Sequence, residues 1–333
     1  MRRRGLTPGV LAAALAVCVS GCGSSTGHNG EPVGLSQVAG NVPGPGPQGT
    51  GPNGNPNLFQ PGKQYQTIAM PSGYAEPRAI AASDLSQTLY VSALDSNENA
   101  VILSLPASGG SSSVVASGLT APVAMALGKD QHTLYVADMA ATTGDSAGEI
   151  LSVATSGGSL EVVSAGAVEA PTGLAVSSDG KTLYVSGSDP VTGEGGVWSL
   201  STAGGAAKPL ATGGAITQPT GLGLSTDGQL ILLADAGHGL PAAQLLSVST
   251  GGGSAALVAT IDDTLEVESG VAEKSGTIYV ATRTQVAQVN GSVATTAAAG
   301  SPFAAPNGIA TNGQHTYVAD AQAAGAGLIV VLN

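Results

Sequence analysis

The stretch APTGLAVSSDGKTLYVSGSD, residues 170–189, decides the fold, because thinned copies of it recur along the chain. Its first half returns as PRAIAA from Pro77, PVAMAL from Pro122, PTGLAV from Pro171 and PTGLGL from Pro219. ESGVAE from Glu268 and PNGIAT from Pro306 complete the series. The third residue of each copy is Gly or Ala, and the fourth is apolar: Ile80, Met125, Leu174, Leu222, Val271 and Ile309. The second half returns in step as TLYVS, TLYVA, TLYVS, LILLA, TIYVA and TYVA. A third run follows each, from VILSL in the first copy to LIVVL in the last. In the first four copies a glycine-rich turn then leads to a weaker fourth run such as SSVVAS.

Short runs of β-branched and aliphatic residues between Gly, Asp and Ser turns read as strands, and no helical period is present. The Asp-Gly pairs in SDGK (178–181) and TDGQ (226–229) supply tight hairpin turns. Each copy is therefore a four-stranded antiparallel meander, which cannot bury both faces alone. Four strands in about 45 residues predict the blades of an all-β, six-bladed β-propeller. The blades are expected near 77-121, 122-170, 171-218, 219-267, 268-305 and 306-333. The last copy stops after its third strand, and an orphan run, QYQTIAM (64–70), precedes the first. Adding that run to the last blade closes the ring and removes a bare edge, so the propeller spans 64-333. Gly173, Gly221, Gly270 and Gly308 on the innermost strands suit the crowding at the axis. Trp198 is expected to pack in the core of its blade.

The N-terminus, MRRRGLTPGVLAAALAVCVSGCGSS, sets three arginines before an apolar run. Residues 1-21 read as a secretory signal that is too short for a spanning helix. VSGC, residues 19–22, resembles the bacterial lipobox, which implies that Cys22 is lipidated. A lipid anchor on the extracytoplasmic side of the cell envelope follows from that resemblance. The site would be the outer membrane or periplasmic side of a Gram-negative cell, or otherwise the outer face of the plasma membrane. Residues 22-63, as in NVPGPGPQGTGPNGNPN, cannot bury a core and predict a disordered tether of roughly 35 Å. Cys18 leaves with the signal, so neither a disulfide nor a cysteine metal site remains. Loss of Arg2, Arg3 and Arg4 takes the net charge from −12 to −15. The remaining bases are scattered, which makes nucleic acid a poor partner.

In a meander, the start of strand one and the end of strand two share one face of the ring, and the Asp-Gly hairpins lie on the other. The loops ALDSNEN, DMAATTGDSAG, GSDPVTGEG and DAGHGLPAA after strand two belong to the first face. Long loops on a rigid scaffold are where binding residues concentrate. The position after the proline, or after Glu268 in the fifth copy, holds Arg78, Val123, Thr172, Thr220, Ser269 and Asn307, and the family resemblance given below implies that it lies at the mouth of the axis. With their neighbours Glu76 and Glu268, a candidate ligand site consists of Glu76, Arg78, Thr172, Thr220, Glu268 and Asn307. Arg78 either holds a ligand carboxylate or phosphate or pairs locally with Glu76. Asp95, Asp138, Asp189, Asp235, His238 and Asp320 stand along the loop rim. Asp138, Asp235 and Asp320 follow strand two in VAD or LAD. They read either as a carboxylate rim for cations or polyols, or as Asx turns closing the strand-to-loop corner. DSNEN (95–99) imitates the start of a calcium loop, but Ala100 replaces the needed glycine and Pro106 the bidentate Glu. His238 is a solvated loop histidine or a general base. No G-x-S-x-G elbow or triad accompanies it.

Through PTGLAV, PTGLGL and PNGIAT, the chain from Gln64 to Asn333 resembles the NHL and SMP-30/gluconolactonase-like six-bladed propellers. Metal-dependent lactonases of that group carry Asn or Asp after the proline, and a Glu near the first strand completes their axial metal site. Only Asn307 matches that pattern here. Calcium or magnesium wants several converging carboxylate or amide oxygens. One amide, three hydroxyls, a valine and a guanidinium do not supply them. The histidine that the group's streptogramin lyases would suggest is also missing. No cofactor is therefore expected, with an axial calcium or magnesium ion as the alternative. The expected function is a membrane-anchored binding or scaffold module, monomeric, serving a small molecule or an envelope protein on its long-loop face. The alternative is a lactonase or lyase acting at the top of the axis.

Overall fold

The computed structural model describes residues 65–141, 148–240 and 242–333; the signal, Cys22 and the tether lie outside the described residues. Blade three shows how the repeated phrase folds. Its inner strand, Glu169–Val176, is followed outward by Thr182–Ser188, Gly195–Ser201 and Lys208–Thr212, all antiparallel. In the first hairpin Asp179 accepts from Ser177 Oγ at 2.6 Å and from the Lys181 amide at 3.0 Å. Gly180 then takes a φ of +73°, which costs glycine nothing. Six such sheets follow one another, and the chain is an all-β, six-bladed β-propeller.

Gln66–Ala69 closes the ring as the outermost strand of blade six, antiparallel to Leu328–Leu332. Ile68 on this clasp is buried with Leu89 and Leu105 of blade one and with Ile329 and Val331 of blade six. The same cross-blade logic builds the rest of the core. Alternation along TLYVS sends Leu183 and Val185 to a cluster with Val123 and Ile150 of blade two. It sends Tyr184 the other way, to Leu233 and Leu246 of blade four. A radial sheet is thus apolar on both faces, and each neighbouring pair of blades shares one cluster. Trp198 is buried in the cluster between blades two and three.

Inner strands approach one another closely. A Cβ on Gly221 would run into the Ser269 carbonyl oxygen, and one on Gly308 into the Arg78 carbonyl oxygen. A Cβ on Gly270 would likewise meet the Ile309 amide, and at this close approach the Gly270 amide donates to Asn307 O and the Gly308 amide to Arg78 O, both at 2.8 Å. Backbone bonds thereby join blades five, six and one at the axis.

Two local features differ from expectation. The inner strand of blade one is broken: Tyr74–Ala75 and Ile80–Ala82 both pair with Thr88–Asp95. Glu76 lies in the break at a φ of +52°. In addition, ALDSNEN is not a long loop, because the strands run through it to Asp95 and resume at Ala100. Asp95 closes the tight turn by accepting from the Asn97 and Asn99 amides at 2.8 and 2.9 Å.

Candidate functional site

In four of the blades the inner strand is irregular at the proline phrase. Register slips between Pro122 and Ala124, Pro219 and Gly221, and Pro306 and Ile309, with the corresponding slip of blade three between Glu169 and Gly173. A bulge tolerates the missing proline N–H and re-aims the next side chain. Blade one has its broken inner strand at this place instead, and blade five, with Glu268 where the others have proline, shows no slip.

Four of the six candidate residues meet there. Arg78 donates to Glu268 Oε1 at 2.7 Å and to Glu76 Oε2 at 3.0 Å, while Asn307 Nδ2 donates to Glu268 Oε2 at 3.0 Å. Blades one, five and six are tied together by this one carboxylate. Partial burial opposes the Arg78 charge, but the adjoining Glu268 and Glu76 carboxylates outweigh it and hold the guanidinium above its ordinary value. Glu268 is the more enclosed partner, at 11 % side-chain exposure against 44 % for Glu76. Asn307 Oδ1 is buried and has no partner. Thr172 and Thr220 turn away from the group: Thr172 Oγ1 bonds Ser186 Oγ at 3.1 Å, and Thr220 Oγ1 donates to Ala234 O at 3.3 Å.

Beneath this network lies a chamber of about 40 Å³ lined by Val123, Thr172, Glu268, Ser269 and the apolar fourth residues. It has room for roughly two or three waters. The donor set does not fit a resident calcium or magnesium ion. Both Glu268 oxygens are already bonded, Arg78 adjoins them and also holds Glu76, and the hydroxyls of Thr172 and Thr220 are satisfied within their own blades, which leaves Asn307 Oδ1 as the one buried oxygen here without a partner. Among the described residues no group of three or more His, Cys, Asp or Glu could hold a metal ion.

The loop-rim residues divide into three sorts. Asp138, Asp235 and Asp320 are buried and do not form an open rim. Asp138 accepts from the Thr120 and Ala121 amides, both at 2.7 Å, and Asp320 from the Ala304 and Ala305 amides at 2.8 and 2.9 Å. Asp235 accepts from the Thr217 and Gln218 amides in the same way. Each carboxylate pins the segment that enters its own inner strand, and Asp235 and Asp320 also accept from amides two or three residues on, those of Gly237 and of Gln322 and Ala323. Asp95 and Asp189 instead are turn residues. Bonds from the Asn99 backbone and from the Thr192 backbone, respectively, lower their pKa values. His238 is exposed, and its backbone amide donates to Thr217 Oγ1 at 3.0 Å. One acidic group escaped the sequence reading: Glu149, buried opposite Asp138, has an unpartnered Oε1. Nothing in its phrase, EILSV, marks it apart from the valine, glycine and glutamine at the same place in other copies.

The axis has a second opening. A cavity of about 290 Å³ lies on the hairpin face, lined by the later residues of all six inner strands together with Asp84, Lys129 and Gln131. Ile80, Met125, Leu174, Leu222, Val271 and Ile309 line both chambers and so form the partition between them. The invariably apolar fourth residue of the repeat is this partition.

No family model matches the chain, and no curated protein matches it in sequence. Its likeness to solved structures is one of fold. A gluconolactonase from Xanthomonas campestris aligns with a TM-score of 0.58 at 15% identity, covering 80% of this chain and 87% of that one. An auxiliary nutrient binding protein from Bacteroides thetaiotaomicron aligns at 0.60 with 10% identity, over 78% and 69% of the two chains. A luciferin-regenerating enzyme aligns at 0.56 with 14% identity, over 78% and 92%. Fold and comparisons together define a six-bladed propeller.

Proposed function

We propose that the chain is a membrane-anchored, extracytoplasmic propeller, lipidated at Cys22, that acts as a binding or scaffold module. The observation that carries this reading is the state of the axial mouth on the loop face. Arg78 is seated between Glu268 and Glu76 above a chamber of about 40 Å³. Such a mouth offers neither an unpaired base nor space for a lactone ring. Fold alone does not choose, since solved propellers of like fold include both a gluconolactonase and a nutrient-binding protein. The lactonase or lyase alternative draws on the family resemblance and on Asn307. An envelope partner on the loop face would meet exposed apolar tips at Val191 and Leu240, in the loops of adjoining blades.

Thermal unfolding with calcium, magnesium or a chelator, run beside an assay on a panel of sugar lactones, tests the proposal. The melting temperature is expected to ignore the metals, and no lactone should turn over above background. Turnover that disappears in Glu268→Gln, or a metal-induced shift that disappears in Asn307→Ala, would overturn it. Cell fractionation tests the anchor: Cys22→Ala should move the protein out of the membrane fraction, and retention there would defeat the lipoprotein reading.

A further inference from the structure

The hairpin-face cavity combines an apolar floor with two charges that the fold leaves apart. The floor is the ring of six apolar fourth residues, and Leu127, Val176 and Leu224 extend it up one side. Lys129 stands in the hairpin of blade two and Glu273 on the inner strand of blade five, and both line the cavity. In a ring of six, those blades are diametrically opposed. Each charge is braced by the turn of a neighbouring blade. The Lys129 stem lies against Gly180, and the Glu273 oxygens accept from the Thr226 amide at 3.2 Å and from Thr226 Oγ1 at 3.1 Å. Among the described residues neither forms an ion pair. Asp84 on blade one adds a second carboxylate to the lining.

We propose that this cavity binds a small zwitterion of the peptide class, with its ammonium at Glu273, its carboxylate at Lys129 and small apolar side chains over the floor. A simple anion would satisfy Lys129 but face Glu273 and Asp84, and a neutral polyol would leave both charges unpaired. A free amino acid carries its two charges on one carbon and cannot reach opposed walls. An unblocked di- or tripeptide separates its ends by roughly 7–10 Å, at about 3.3–3.6 Å per residue. The cavity's size, about 290 Å³, sits at the lower end of ligand pockets and suits so short a chain. This site is separate from the loop-face mouth, so its outcome and that of the metal and lactone tests are independent.

Calorimetric titration of the full chain with trialanine, N-acetyl-trialanine, trialanine amide and L-alanine tests the proposal. Trialanine should bind, and either cap should weaken it about ten- to hundredfold, the worth of one bond to a charged group. Lys129→Met should erase the preference for a free carboxylate, and Glu273→Gln the preference for a free ammonium. Each variant should keep the other preference, which a merely unfolded protein would not. Capped peptides binding as well as trialanine, L-alanine binding equally well, or no binding by any of the four would each overturn it.

Discussion

The two ends of the axis are built from the same six strands and are left in opposite states. On the loop face the charges have found one another: Glu268 takes Arg78 and Asn307 together, and Glu76 takes the rest of the guanidinium. On the hairpin face Lys129 and Glu273 line opposed blades of the cavity and form no ion pair with each other. Position along the strand makes the difference. At the mouth, side chains of blades one, five and six converge on Glu268, whereas on the hairpin face Glu273 reaches only the turn of the next blade and Lys129 lies across the bowl from it. Paired charges at the mouth belong to the frame, and separated ones in the bowl remain available to a ligand.

The sharpest way to break the contrast is to force the inner strands apart. Gly308→Ala puts a methyl against the Arg78 carbonyl and should cost roughly 1–3 kcal/mol as backbone overpacking. Gly251→Ala, where a Cβ has room, is the control and should stay within about 0.5 kcal/mol. Equal urea midpoints for the two would mean that the inner strands do not meet as described. The mouth itself can be graded next. Glu268→Gln should cost about 1–3 kcal/mol, because the part-buried Arg78 and the buried Asn307 amide both lose their charged acceptor. Glu76→Gln, on the exposed side, should cost only about 0–1 kcal/mol. A double-mutant cycle with Arg78→Met checks that ordering, and reversed values would place the anchor of the guanidinium on the wrong glutamate.

The smallest effect concerns the hairpin turns around the bowl. Ser177 Oγ and the Lys181 amide hold the Asp179 carboxyl below its ordinary 3.8, and Ser225 Oγ and the Gln229 amide do the same for Asp227. A depressed folded value means that their contribution is complete above the ordinary value and lost as pH falls through the folded one. The melting temperature should therefore decline below about pH 4, and Asp179→Asn with Asp227→Asn should flatten that decline. An unchanged acid limb in the double variant would show that these turns do not sense pH.

The frame was legible because it is periodic. Five proline phrases and their Glu268 variant, the Asp-Gly turns and the orphan N-terminal run mark blades, hairpins and clasp in the sequence itself. Pairings across long separations were not legible. Arg78 and its near neighbour Glu76 suggested each other, but its tighter partner Glu268 lies 190 residues away. The aspartates of VAD and LAD stand out as a pattern, yet most of their partners are backbone amides, two for each lying 15 to 18 residues back, and these carry no side-chain signal. Lys129 and Glu273 carry no mark in the sequence, one standing in a hairpin turn and the other on an inner strand, on the face opposite the long loops. Only ring geometry sets them across from one another.

The clasp also has a mechanical meaning. The chain enters the propeller at Gln66, and four residue pairs along Gln66–Ala69 separate everything upstream from blade one. A pull on the N-terminus is therefore borne by the strand that holds the ring shut. If it yielded, LIVVL (328–332) would be left with a bare apolar edge, open to pairing with another chain. Tension and self-association would then be two ends of the same failure.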